Sequence, residues 1–129
     1  MKIQESAENY LETILMLSQK QSYVRSIDIA NELSFSKPSV SVAMKNLRQS
    51  ELILVDQEGH ITLTPAGLAI ASKVYERHRL ISDMLISLGV SPETAAEDAC
   101  RIEHVISEES FLALKKHLSD SNHKGPLHC

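Results

Sequence analysis

Apolar positions recur at helical spacing along most of this chain and switch to a strand-like pattern only once. Tyr10, Leu11, Ile14, Leu15 and Leu17 form one stripe, which predicts a helix over residues 6–20 with Ser6 as its N-cap. Ile27, Ile29, Ala30 and Leu33 predict a short second helix behind Ser26. Val40, Ala43, Met44 and Leu47 predict a third over residues 37–51, capped by Ser36 and carrying Pro38 in its first turn. Ser39, Ser41, Val42, Lys45, Asn46, Arg48 and Gln49 then face outward. Residues 52–64, LILVDQEGHITLT, break the helical period. Two short β-rich runs flank a turn in which Gly59 supplies a positive φ, so a hairpin is expected. Thr64-Pro65 opens a long helix stopped by Gly89, Ser91-Pro92 opens another to about Ile106, and Ser107 caps a last one over residues 108–118.

Helix, short helix, helix, hairpin and long helix is the order of a winged helix-turn-helix. The expected fold is mainly α: an N-terminal winged helix-turn-helix over 1–64, a helical dimerisation and metal-binding domain over 65–118, and a polar flexible tail over 119–129. The second domain is too small to bury all its apolar faces, which predicts a homodimer.

Composition narrows the function. The chain carries 17 acidic against 13 basic residues, a net charge of −4, so any DNA binding must rest on a local basic surface. Residues 33–50 provide one, with Lys37, Lys45 and Arg48 and no acid. The first turn of the third helix adds the hydroxyls of Ser36, Ser39 and Ser41 and free backbone N–H groups beside Pro38. Val42 is placed to touch a thymine methyl, and Ser26 opens the preceding helix. The plainer reading is an exposed helix with solvated lysines. The two cysteines, Cys100 and Cys129, do not make a disulfide framework. The opening MKIQESAENY is too polar for a secretory leader, and no apolar run approaches ~20 residues, so a cytoplasmic protein with no membrane association is expected.

The stretch CRIEHV carries the chemistry. On a helix Cys100, Glu103 and His104 share one face, and thiolate, carboxylate and imidazole are all transition-metal donors. The alternative is a packed face: a small buried Cys, a paired Glu and a core His. Asn9 and Glu12 share a face of the first helix, and His78 lies in the long helix between Arg77 and Arg79. No Gly-rich phosphate loop, nucleophile–base pair or HExxH motif is present, which argues against an enzyme. The His/Cys content is low for a metal buffer; His123, His128 and Cys129 of the tail offer an extra soft site or a redox-sensitive thiol, against the plainer reading of a disordered end.

NYLETILML, SKPSVSVAMKNL, LTPAGLAIASKVYERHRL and above all DACRIEHVISEE resemble the diphtheria toxin repressor family of metal-dependent regulators, over about residues 6–118. That family has an iron-responsive branch and a shorter manganese-responsive one, and the length here matches the form without the SH3-like third domain. The resemblance implies a repressor in which metal bound between the two domains switches on operator binding. It implies ligands at His78, Glu103 and His104, shared by both branches. Cys100 follows the iron branch and Glu12 the manganese branch. Asn9 follows neither, and Ala96 stands where the iron branch has a His of its second site. The thiolate puts Fe²⁺ first and Mn²⁺ second, with Zn²⁺ and Co²⁺ expected to bind in vitro. The expected partner is a double-stranded operator of approximate two-fold symmetry. The alternative is a winged-helix regulator that answers to a small organic ligand and needs no metal.

Overall fold

In the computed structural model, backbone is described for residues 2–124 and side chains for 6–119. Among the described residues six helices and one hairpin follow in the order α1 (Lys2–Lys20), α2 (Ser26–Leu33), α3 (Lys37–Gln49), β1 (Ile53–Val55), β2 (Ile61–Leu63), α4 (Pro65–Ser87), α5 (Pro92–Val105) and α6 (Glu108–Lys124). Chain contacts divide them into two compact units, 1–75 and 76–129, with the boundary inside α4.

The first unit is the winged helix-turn-helix. Its core joins Leu11, Ile14 and Leu17 of α1 to Ile29 and Ala30 of α2, Val40, Met44 and Leu47 of α3, Ile53 and Ile61 of the hairpin, and Ala71 of α4. Ala71 places the first half of α4 in this core, so the unit runs past residue 64. Burial pushes the Tyr10 phenol up, and its ring meets Phe35 edge-on with centroids 6.0 Å apart.

Local chemistry sets the boundaries. Ser36 Oγ accepts from the Ser39 N–H at 3.3 Å and donates to Ser39 Oγ, capping α3 as expected. The expectation fails at α2: Ser26 is its first helical residue, Arg25 is the N-cap, and the Asp28 carboxylate accepts from the Arg25 N–H at 2.9 Å. Ser6 likewise lies inside α1, which begins at Lys2. Ser34 ends α2 in the left-handed region at φ 58°, making the tight turn into α3. In the hairpin Ile53 pairs with Leu63, Leu54 with Thr62 and Val55 with Ile61. Gly59 takes φ +82°, and Asp56 Oδ1 accepts from the N–H groups of Glu58 and His60. The His60 N–H is the main cause that holds the Asp56 carboxyl below its ordinary range.

Thr64 Oγ1 accepts from the Gly67 N–H at 3.1 Å and donates to the Glu51 carbonyl, so it caps α4 and ties it to the end of α3. A side chain at Gly67 would run into the Leu52 backbone carbonyl, so the glycine is what allows this approach.

The second unit is a three-helix arrangement with a small core. Ile81, Ala95, Ala99 and Phe111 are its buried apolar residues, whereas Ile86, Leu88, Val105 and Leu112 stay exposed. Gly89 at φ +102° and the Val90 N–H to Leu85 carbonyl bond close α4. Ser91 caps α5, and Ser107 caps α6 by accepting from the Ser110 N–H. α6 continues past the expected stop at residue 118 to Lys124. The side chains of His123, His128 and Cys129 lie outside the described residues.

Candidate metal centre

On α5 the buried positions are Ala95, Ala99 and Glu103, at i, i+4 and i+8. The stripe that packs two alanines into the core thus delivers a carboxylate at its third step. Glu103 is 0% exposed. A buried carboxylate is costly unless it is paired, and here both oxygens face imidazoles. Oε1 lies 2.8 Å from His78 Nδ1 on α4, and Oε2 lies 3.3 Å from His104 Nε2 one residue along α5. Cys100 completes the group: one donor atom each from Cys100, Glu103 and His104 lie within 4.8 Å of one another. His78 Nδ1 and Glu103 Oε1 are at hydrogen-bond distance, 2.8 Å, and an ion taking both atoms would displace the proton between them. The donor set fits a divalent transition metal: hard oxygen, borderline nitrogen and soft sulfur, in a desolvated place.

Of the six expected ligands, Cys100, Glu103 and His104 are therefore grouped inside the second unit, and His78 of the same unit meets the other oxygen of Glu103. Asn9 and Glu12 lie one turn apart on α1 in the first unit, Asn9 half-buried and Glu12 4% exposed. The Asn9 backbone carbonyl accepts from Thr13 Oγ1 at 2.8 Å.

Of the expected DNA-facing residues, Ser36, Lys37, Pro38, Ser39, Ser41, Val42, Lys45 and Arg48 are all exposed, and Ser26 is half-buried. They lie along α3 and its cap opposite the Val40–Met44–Leu47 stripe.

Two features have no signal in the sequence. In the first unit the Tyr23 ring stacks on His60 at 4.1 Å, Arg25 Nη2 lies 3.1 Å from His60 Nε2, and the Ile61 N–H donates to the Val24 carbonyl. The segment leading into α2 is thereby latched to the hairpin. In the second unit Arg77 binds the end of α5. Neither pairing follows from local periodicity.

The chain thus joins a winged helix-turn-helix to a helical unit in which a buried Glu103 carboxylate has Cys100 and His104 beside it and His78 at its other oxygen, a candidate cation site. Residues 2–61 match the iron dependent repressor N-terminal DNA binding domain, and residues 64–125 match the iron dependent repressor metal binding and dimerisation domain. The chain belongs to this family, the diphtheria toxin repressor family of metal-dependent transcriptional repressors. It is 35% identical over 111 residues to the transcriptional regulator MntR of Escherichia coli O6:H1, covering 86% of this chain and 72% of that protein. Its fold is similar to that of the manganese regulator SloR, with TM-score 0.78 and 33% identity over 88% of this chain and 53% of that one. It is also similar to a manganese-dependent transcriptional repressor solved with manganese, with TM-score 0.80 and 26% identity over 88% and 52%. The chain thus spans about half the length of these solved relatives. The relatives are regulators of transcription rather than enzymes. Among the described residues no helix is long and apolar enough to cross a membrane.

Proposed function

We propose that this protein is a metal-activated repressor that binds a DNA operator as a homodimer in the cytoplasm and controls metal-ion homeostasis. The observation that carries the reading is the fully buried Glu103 carboxylate between His78 and His104, with Cys100 beside it. When bound, the ion supplies two positive charges where the protein holds a buried negative one. Cys100 and Glu103 would hold one ion by charge and His104 by its nitrogen lone pair, and His78 with a shared oxygen of Glu103 would hold a second. On the family pattern, Asn9 and Glu12 of α1 join the ligand set, so the ion cross-links the DNA-binding domain, residues 1–64, to the dimerisation domain, residues 65–118. Without the ion, two like-charged carboxylates disfavour that closed form. An ion preferring it by about 1–3 kcal/mol raises operator affinity about 5–150-fold.

The α3 surface supplies the DNA contacts. Lys37, Lys45 and Arg48 meet phosphates, Ser36, Pro38, Ser39 and Ser41 approach the groove with the helix N-terminus, and Val42 meets a thymine methyl. Ser26 opens the supporting helix. The exposed Ile86, Leu88, Val105 and Leu112 are the apolar surface a second copy would cover, on an operator with approximate two-fold symmetry. The Cys100 thiolate favours Fe²⁺, with Mn²⁺ second. Glu12 and the manganese relatives favour Mn²⁺. Zn²⁺ and Co²⁺ bind by raw affinity.

The test is a titration of Fe²⁺ (anaerobic), Mn²⁺ and Zn²⁺ into protein mixed with a duplex library, read by fluorescence anisotropy at fixed salt, because phosphate contacts are salt-dependent. Free-ion concentrations at half response rank the ions. Binding that ignores every ion and is unchanged in Cys100→Ala and His104→Ala would move the reading to an organic effector.

A further inference from the structure

Arg77 precedes His78 on α4, and its side chain is 12% exposed. Its Nη1 donates to two backbone carbonyls at the end of α5, Glu103 at 3.2 Å and Ile106 at 3.1 Å. Its Nη2 pairs with Glu108 Oε1 at 2.9 Å, at the first residue of α6. The guanidinium lies over the buried Phe111 ring, 5.4 Å from its centroid. Two consecutive residues of α4 therefore hold the two ends of one residue of α5: His78 meets the Glu103 carboxylate and Arg77 meets the Glu103 carbonyl.

We propose that Arg77 is a positioning residue of the metal centre, which sets the place and direction of Glu103 and His104 without touching the ion. The inference rests on the metal-centre reading above. A helix end is held by fewer ladder bonds than its middle: in α5 the Ile106 N–H closes onto the Ile102 carbonyl, and Arg77 holds the Glu103 and Ile106 carbonyls beyond it. Glu103 and His104 sit in the last turn. A planar, permanently charged fork can bind two carbonyls and a carboxylate in one fixed geometry while its face rests on an aromatic ring, which a lysine ammonium cannot reproduce. Groups that orient ligands in this way are typically worth 10–100-fold in metal affinity.

The experiment compares wild type, Arg77→Met, Arg77→Lys and Ala95→Gly. It measures Mn²⁺ affinity by calorimetry, the visible absorption of bound Co²⁺, and the ion-free melting temperature. Ala95→Gly weakens the same unit at a site away from Arg77. In Arg77→Met the Mn²⁺ affinity should fall about 10–100-fold and the Co²⁺ spectrum should change, with partial recovery in Arg77→Lys. Ala95→Gly should stay within about threefold of wild type with an unchanged spectrum, as a distant independent change would. If Arg77→Met does not fold, Arg77→Lys carries the test, with a smaller loss of affinity and the same kind of spectral change. The proposal is overturned if the Arg77 variants bind Mn²⁺ like wild type with the same Co²⁺ spectrum, or if Ala95→Gly loses as much affinity as they do. If wild type itself binds neither ion, the metal-centre reading fails, and this inference falls with it.

Discussion

Glu103→Gln keeps the shape and burial of the side chain and removes only its charge. In the ion-free protein the carboxylate accepts from His78 at 2.8 Å and faces His104 at 3.3 Å, at full burial. An amide loses charge-assisted contacts worth about 1.5–3 kcal/mol each. It also escapes a desolvation penalty of several kcal/mol. These oppose each other, so ion-free stability should move by no more than ~1–2 kcal/mol, in either direction. The response to ion is a different matter. An ion at about 100 times its dissociation constant stabilises the wild type by about 2.7 kcal/mol. At about 4 °C or more per kcal/mol for a small domain, that is on the order of 10 °C in melting temperature. If the lost charge weakens binding about 100-fold, the same ion concentration adds only ~0.4 kcal/mol, a shift of about 2 °C. Thermal melts with Mn²⁺ and with chelator, on wild type and variant, read this directly. A variant stabilised by Mn²⁺ as much as the wild type would show that Glu103 is not a ligand.

Three further outcomes are expected. Gly67→Ala should cost about 1–3 kcal/mol in a urea melt, because its methyl meets the Leu52 carbonyl, which is backbone and cannot swing aside; an unchanged midpoint would mean that α4 does not approach the α3–β1 turn this closely. Lys45→Ala and Arg48→Ala should each weaken ion-dependent DNA binding across all sequences and lower the slope of log affinity against log salt by about 1; salt slopes equal to wild type would remove these residues from the phosphate contacts. The lowered Asp56 carboxyl makes the hairpin acid-sensitive: its folded value lies below the unfolded one, so its stabilisation is present above the ordinary carboxylate range and lost as pH falls from there through the lower folded value. Hydrogen exchange at the Glu58 and His60 amides should therefore show protection lost on acidification, and protection that persists in Asp56→Ala would contradict the assignment.

Where a local signal exists, the sequence predicts the fold to within a residue or two. Ser36, Ser91 and Ser107 each act as the N-cap expected of them, and Gly59 and Gly89 take the positive φ that their positions require. Where the signal is not local, the reading slips. Ser6 looks like a cap, but nothing before it stops a helix, and α1 starts at Lys2. Ser26 looks like a cap too, yet the Asp28 carboxylate serves the Arg25 N–H and moves the boundary back by one. α6 outruns its expected end because no Gly or Pro intervenes until Gly125-Pro126. The site divides in the same way. Helical spacing shows that Cys100, Glu103 and His104 share a face, but not that Glu103 lies on the buried stripe or that His78 meets it from another helix. Arg77 is silent in the sequence because two of its partners are backbone carbonyls, which no side-chain pattern records, and Glu108 and Phe111 reach it from another helix.

The proposed switch has an ion at this cluster controlling DNA binding from a distance. The most direct measurement is the affinity of the wild-type protein for one duplex, selected from a random pool in the presence of Mn²⁺, taken at fixed salt with saturating Mn²⁺ and again with chelator. The expected result is binding at least about fivefold tighter with the ion, up to about 150-fold. Equal affinity in the two conditions would contradict the claim, and would leave the Cys100–Glu103–His104 cluster as packing rather than a switch.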